Sequence, residues 1–202
     1  MFSGLVREVA EVKSFKNNTL EILSSYRPTI GDSIAINGAC LTVIELFSNG
    51  FSLNLTTHTQ EKIAVENLKE KVHIEPALKM SDRLDGHLVQ GHIDGIAILS
   101  EIEKSSSQTR FFLKLPPHLH HLMVVDGSVC VDGISLTISD FQAPYLILTL
   151  IPHTFTQTLF HTYKVGRRLN IESDMIVRSI AKLMGKMQKG DWERFDRLTL
   201  GY

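Results

Sequence analysis

The chain has 202 residues, of which 43% are hydrophobic, enough apolar material for a buried core, and the length suits two domains of about 95 residues. Its 21 basic and 22 acidic residues leave a formal charge of −1, which excludes a general attraction to nucleic acid or to an anionic membrane surface. No run nears the roughly 20 apolar residues that cross a bilayer. MFSGLVREV lacks the basic start of a secretory signal, and the two cysteines read as free thiols of a reducing, cytoplasmic compartment.

In chain order, β-branched or alternating segments predict strands near 5–13, 19–26, 33–47, 50–56 and 71–77. Turn signals fall at Asn17-Asn18, at Pro28 with Gly31, and at Asn49-Gly50. A short helix is predicted over 61–68. The polar stretch KMSDRLDGHL (79–88) reads as a linker. Strands resume near 93–104, 109–115, 128–141, 145–151 and 168–174, with turns at Asp126-Gly127 and Gly166 and short helices over 116–123 and 156–163. The tail is helical. In IVRSIAKLMGKMQ, Val177, Ile180, Met184 and Met187 have the 3-4-3 spacing of a packing seam. Arg178, Lys182, Lys186 and Lys189 take other faces and read as a solvated surface. The seam packs either on the chain's own barrel or against further copies.

The chain is written twice. Residues 33–59 align without a gap with 128–154 at an offset of 95, and eight pairs are identical, among them Gly38/Gly133, Leu41/Leu136, Thr42/Thr137, His58/His153 and Thr59/Thr154. KVHIEPA (71–77) matches RLNIESD (168–174), and MFSGLVREVA (1–10) matches LVQGHIDGIA (88–97). About six short strands per copy predict a closed antiparallel barrel, since closure removes exposed edges. The expected fold is all-β with short helices: two similar six-stranded antiparallel Greek-key barrels related by a pseudo-twofold axis, plus a C-terminal helix. The expected domains are 1–84, 85–174 and a tail, 175–202, that trimerises. Glycines and hydroxyls at the paired turns suit a flat ligand approached closely by backbone. Equally, they suit turns alone.

In this order and spacing, MFSGLV, GDSIAINGACLTV, GHLVQGHIDG, VDGISLTI, IPHT and NIESDMI resemble the riboflavin synthases of the twin-barrel type. The resemblance spans residues 1–185. It implies that two molecules of 6,7-dimethyl-8-ribityllumazine exchange a four-carbon unit, giving riboflavin and 5-amino-6-(D-ribitylamino)uracil, with no redox or metal cofactor. It also implies a homotrimer whose active sites lie between the N-terminal barrel of one subunit and the C-terminal barrel of the next. One module written twice then holds donor and acceptor, which are the same molecule.

The resemblance places Gly4, Leu5 and Val6, then Cys40, Leu41 and Thr42, in an N-barrel pocket. That pocket also takes Asn54, Leu55, Thr56, Thr57, His58 and Thr59. It places Gly91, His92 and Ile93, then Ser135, Leu136 and Thr137, in a C-barrel pocket. There Thr149, Leu150, Ile151, Pro152, His153 and Thr154 join them. Phe2 is expected over the ring, and Glu172 and Asp174 on ribityl hydroxyls or behind His92. Ser135, His92, Thr137 and Cys40 are the candidates for catalysis. Asp126 stands where the family commonly has lysine, and Ser3 where it has threonine. His87 and His92 have H-x4-H spacing, but no cysteine lies near them and no metal is expected. The alternative reading is a lumazine- or flavin-binding protein of the same fold without catalysis. A purely structural scaffold is the third.

Overall fold

In a computed structural model, residues 1–186 are described; Met187 and Lys189 of the expected tail helix lie outside them. The first barrel is built from β1 (Glu8–Lys16), β2 (Thr19–Leu23), β3 (Ser33–Ile36), β4 (Ala39–Phe47), β5 (Gly50–Asn54) and β6 (Lys71–Pro76). The second is built from β7 (Gly95–Lys104), β8 (Thr109–Lys114), β9 (Ser128–Val131), β10 (Ile134–Gln142), β11 (Tyr145–Leu150) and β12 (Arg168–Ser173). Both close, with strand orders β1-β2-β5-β4-β3-β6 and β7-β8-β11-β10-β9-β12, so the second is the first displaced by six strands. Each barrel has its own apolar core, Leu20, Ile34, Phe51 and Ile74 in one and Leu99, Phe111, Val129 and Leu169 in the other. Among the described residues no helix is long and apolar enough to cross a membrane.

Closing six short strands needs sharp local curvature, and β-bulges supply it. Bulges break the register at Val12/Ser14 and Val43/Glu45, and at the matching places Leu99/Glu101 and Ile138/Asp140. The single strands expected over 33–47 and 128–141 are each folded into a hairpin. Asn37 and Gly38 have φ of 44° and 84°, and Asp132 and Gly133 have 46° and 85°. That pair of left-handed residues is the two-residue turn that Asn-Gly and Asp-Gly favour. The short helices begin at the His-Thr pairs rather than after them. In α1 (Thr57–Lys62) the Thr56 side chain caps the first turn, accepting from the Thr59 amide at 3.2 Å. In α2 (Pro152–Gln157) Pro152 occupies the first turn, where no amide is needed. Three further short helices, Val65–Asn67, Pro117–Leu122 and Leu159–Thr162, are 3₁₀.

The two Gly turns meet on the pseudo-twofold axis. A Cβ on Gly38 would stand 2.7 Å from the Gly133 amide nitrogen, and one on Gly133 would stand 2.8 Å from that of Gly38. Beside them His73 and Asn170, matched residues on the last strand of each barrel, make the same two bonds across the interface. Asn170 Nδ2 donates to the Asn37 carbonyl at 2.9 Å and its Oδ1 accepts from the Ala64 amide at 2.8 Å. His73 Nδ1 donates to the Asp132 carbonyl at 2.8 Å and its Nε2 accepts from the Leu159 amide at 2.8 Å. Those partners require the neutral ring.

The C-terminal helix α3 (Met175–Lys186) differs in phase from the expected seam. Val177 is half-buried, and Ala181 packs on the second core. The exposed apolar stripe is Ile176, Ile180, Leu183 and Met184, between 51% and 64% exposed. Arg178, expected on a solvated face, is buried, because carboxylates of the second barrel pair with it. Lys182 is exposed.

Burial depresses the His73 pKa from 6.5 to about 4. The unfolded chain therefore takes up a proton as pH falls from about 6.5 toward 4 and the folded chain does not, so stability is lost on the acid side. The His73→Asn variant copies the residue that the second half uses. Between pH 6.5 and pH 5 it should lose about 2 kcal/mol less stability than the parent, measured by urea unfolding at each pH.

Candidate functional site

Each barrel begins with an extended lead-in segment, residues 2–7 and 89–94, and each segment is held by a buried carboxylate on its own barrel's last strand. Glu75 on β6 accepts from the Ser3 amide at 2.6 Å, the Ser3 hydroxyl at 2.7 Å and the Gly4 amide at 3.0 Å. Glu172 on β12 accepts from the amides of Gln90 and Gly91 at 2.8 Å and of His92 at 3.1 Å. Burial raises both pKa values, that of Glu172 to about 7, against the amides, which favour the anion. Of the two places expected for Glu172, on ribityl hydroxyls or behind His92, its contacts put it behind His92. The residue is 1% exposed, and its oxygens are spent on backbone that carries His92. Asp174 caps α3, its Oδ1 accepting from the Ile176 amide at 2.7 Å.

The two lead-in segments are exchanged. Gly91 lies against Cys40 of the first barrel: the Cys40 amide donates to the Gly91 carbonyl at 2.9 Å, and a Cβ on Gly91 would fall 2.5 Å from that of Cys40. Gly4 lies in the same way against Ser135 of the second barrel, at 2.8 Å and 2.6 Å. Ile93 accordingly packs in the first core, and Val6 against the second. The expected grouping, Gly4 with Cys40 and Gly91 with Ser135, is reversed, because each segment leaves its own barrel before it reaches a pocket. Phe2 and Val89 pair where the segments cross, with Phe2 N–H donating to the Val89 carbonyl at 2.7 Å. Phe2 is fully buried between the barrels with Ala35 and Cys130, so it is not a lid over a ring.

Two cavities of about 570 Å³ each result. The first is walled by Ala39, Cys40, His58, Thr59, Lys62 and Ile63 on one side. Gln90 to Asp94 face them, with Arg178 and Lys182 at the rim from α3. The second sets Val6 to Val9 and Lys71 against His153, the residues 156–159, His161 and Thr162. It is less cationic: Gln157 stands where the first has Lys62.

The remaining expected residues divide by burial. Leu41, Leu55 and Leu150 are in the barrel cores, where the inward face of each strand puts them. Thr42, Asn54, Thr56, Thr57 and Thr137 are exposed and line neither cavity. Leu5 and Leu136 are half-buried. Thr149 accepts a hydrogen bond from the Ser139 hydroxyl at 2.9 Å, Ile151 precedes α2, and Thr154 gives its carbonyl to Thr158. Asp126 sits in an exposed left-handed turn, φ 64°, where the first copy has Gly31, and is outside both cavities.

One pairing was not foreseen. His87 Nδ1 stands 2.7 Å from Ser135 Oγ. Burial lowers the His87 pKa, with the charge of Asp174 opposing. With its proton on Nε2 the neutral ring accepts from the Ser135 hydroxyl, and with the proton on Nδ1 it donates to it; Nε2 is buried without a partner among the described residues and selects neither tautomer. In the sequence His87 carries only its spacing to His92; the linker must fold back over Gly4 before it meets Ser135. Cys40, at the same place in the other copy, shares the contact with a lead-in glycine but has no histidine partner among the described residues.

A protein of two domains, each a six-stranded barrel with its own cavity and with exchanged lead-in segments, matches one family description twice. Residues 3–77 and 90–174 match the lumazine binding domain. The fold is also that of solved lumazine-binding proteins: LumP complexed with 6,7-dimethyl-8-(1'-D-ribityl) lumazine has a TM-score of 0.74 at 18% identity, covering 86% of this chain and 99% of that one. LumP complexed with riboflavin gives 0.75 at 19% identity, with the same coverage. At greater identity the chain is similar to the riboflavin synthase of Bacillus amyloliquefaciens, 35% over 94% of this chain and 92% of that protein. It is similar also to that of Photobacterium leiognathi, 30% over 99% of this chain and 96% of that protein. The chain belongs to the riboflavin synthase family of twin lumazine-binding barrels.

The close approach at Gly91 generates a contrast. Gly91→Ala meets both a left-handed φ of 77° and the Cys40 backbone, while Gly166→Ala meets φ of 92° in open space. Gly166→Ala should cost about 1 kcal/mol, and Gly91→Ala at least about twice that, measured by chemical denaturation. Gly91→Ala should also reduce lumazine binding, followed by ligand fluorescence.

Proposed function

We propose that the chain catalyses the transfer of a four-carbon unit between two molecules of 6,7-dimethyl-8-ribityllumazine, forming riboflavin and 5-amino-6-(D-ribitylamino)uracil. The observation that carries this reading is the presence of two lumazine-binding domains in one chain, each with a cavity of about 570 Å³. Donor and acceptor are the same compound, so duplicated pockets bind both, and holding two rings in register supplies much of the rate by orientation.

The chemistry is not symmetric, and neither are the pockets. One lumazine loses a proton from its C7 methyl group; the other takes a nucleophile at C7. In this reading Ser135 with His87 as its base moves the proton on the second-barrel side. Cys40 and His92, brought together by the exchange, serve the first-barrel side, where Thr59 and Lys62 also line the cavity. The presence of the Ser135–His87 pair favours an enzyme over a binding-only protein of the same fold. As units of function we divide the chain at 1–84, 85–174 and 175–202. We also place it in the cytoplasm as a homotrimer with sites between subunits. Two unpaired cysteines are consistent with a reducing compartment, and the exposed stripe on α3 suits a closed threefold seam.

The direct test mixes the purified protein with the lumazine and follows riboflavin fluorescence; binding without turnover sinks the enzyme. In single-turnover assays Ser135→Ala should slow the reaction at least tenfold, about 1.4 kcal/mol. His87→Asn should match it, and the double variant should be little slower than either single one if the two act as a unit. Cys40→Ser should be milder. For assembly, Ile180→Glu with Leu183→Glu places charge on the exposed stripe of α3. Light scattering should then read the mass of a monomer; a persistent trimer would move the seam elsewhere.

A further inference from the structure

The two lead-in segments are held alike by Glu75 and Glu172, but only the second is held twice. Arg178, in the first turns of α3, is 9% exposed and reaches back over the segment. Its Nη1 donates to Asp94 Oδ2 at 2.6 Å and stands 3.5 Å from the His92 carbonyl. Its Nη2 donates to Gln90 Oε1 and stands 3.7 Å from Glu172 Oε1. Asp94 is itself tied to β12, accepting from the Ser173 amide at 2.8 Å and hydroxyl at 2.6 Å. One guanidinium therefore touches Gln90, His92 and Asp94, three of the five residues that face Cys40 across the first cavity. Among the described residues the first half has no such device. At the offset of 97 that pairs Glu75 with Glu172, the counterpart of Arg178 is Ser81, exposed in the linker, where no helix follows β6.

We propose that Arg178 is a positioning residue of the first cavity, which fixes the wall Gln90–Asp94 against Cys40 and makes the order of that wall depend on the docking of α3. The consequence for catalysis rests on the reading of this cavity as a lumazine pocket. A planar guanidinium suits the task because its fork meets a carboxylate and a carboxamide at once, whereas an ammonium is a point donor. The helix that presents the exposed stripe Ile176, Ile180, Leu183 and Met184 is thus the same helix that holds the pocket wall. Whatever covers that stripe and steadies α3 also steadies His92. The second cavity, whose wall is Val6 to Val9, lacks this link.

Hydrogen exchange on the full-length protein separates this from a general structural role. In Arg178→Met the amides of Gln90, Gly91 and His92 should exchange at least tenfold faster, while those of Ser3 and Gly4, held by the matching Glu75, keep their rates. Arg178→Lys, which restores a charge but not the fork, should recover part of the protection. Gln90→Leu, which removes one acceptor and leaves Arg178 in place, should loosen the same three amides if Arg178→Met does not fold. With the lumazine, kcat/KM should fall at least tenfold in Arg178→Met and recover in part in Arg178→Lys. Unchanged exchange at residues 90–92, or equal acceleration at both segments, overturns the proposal. A parent protein that binds no lumazine would sink the functional reading and leave the exchange result to decide this one.

Discussion

Everything about the cavities depends on a carboxylate buried on the last strand of each barrel. A backbone segment that leaves its barrel carries amides with no strand partner, and buried amides must be paired. Glu75 and Glu172 pair them, with Ser3 and Gly4 on one side and Gln90, Gly91 and His92 on the other. The cost of burying the two acids is visible in their raised pKa values. The return is a lead-in segment rigid enough to lie against the other barrel's hairpin. There glycine at 4 and 91 admits the backbone of Ser135 and Cys40. Without those carboxylates the amides of Ser3, Gly4, Gln90, Gly91 and His92 would lose the acceptors that the structure gives them.

Duplication shows which features are structural and which are free to diverge. The bulges, the left-handed turns at Gly38 and Gly133 and the Glu clamps recur in both halves, because barrel closure and the interface need them twice. His73 and Asn170 differ in chemistry yet perform one task, a donor to a turn carbonyl and an acceptor for a loop amide. Other differences are of another kind. Cys40 lines the first cavity while its counterpart Ser135 is bonded to His87, outside both cavities, and in the cavity walls Lys62 stands where Gln157 does. A reaction between two copies of one molecule suits such a frame, alike in its two halves and unequal in their side chains.

The exchange of lead-in segments makes neither barrel self-sufficient. The first contributes Cys40, His58 and Thr59 to a cavity whose far side is His92 and Asp94, and the second depends in turn on Val6 to Val9. Two barrels that borrow walls from each other are coupled in stability as well as in function, and the turns at Gly38 and Gly133, which meet backbone to backbone, are bonded from the opposite halves by Asn170 and His73.

By itself the sequence determined the repeat, the all-β class, the closed barrels and the family. Each of these is written in local patterns: alternation, turn dipeptides, and motifs in register at an offset of 95. It also located Cys40, Ser135, His92, His58 and Thr59 as residues of interest. Only the tertiary structure decided which of them meet. That Gly91 belongs with Cys40 and Gly4 with Ser135 depends on where two segments run after leaving their barrels, and no spacing encodes a crossing. The same holds for His87, 48 positions from Ser135 yet bonded to it, and for Arg178, whose place on an apparently solvated face was overruled by three carboxyl and amide groups from another part of the chain. Phe2 and the core leucines were misplaced for a related reason: a ligand pocket and an apolar core ask for the same residue types, and burial between particular surfaces is what tells them apart.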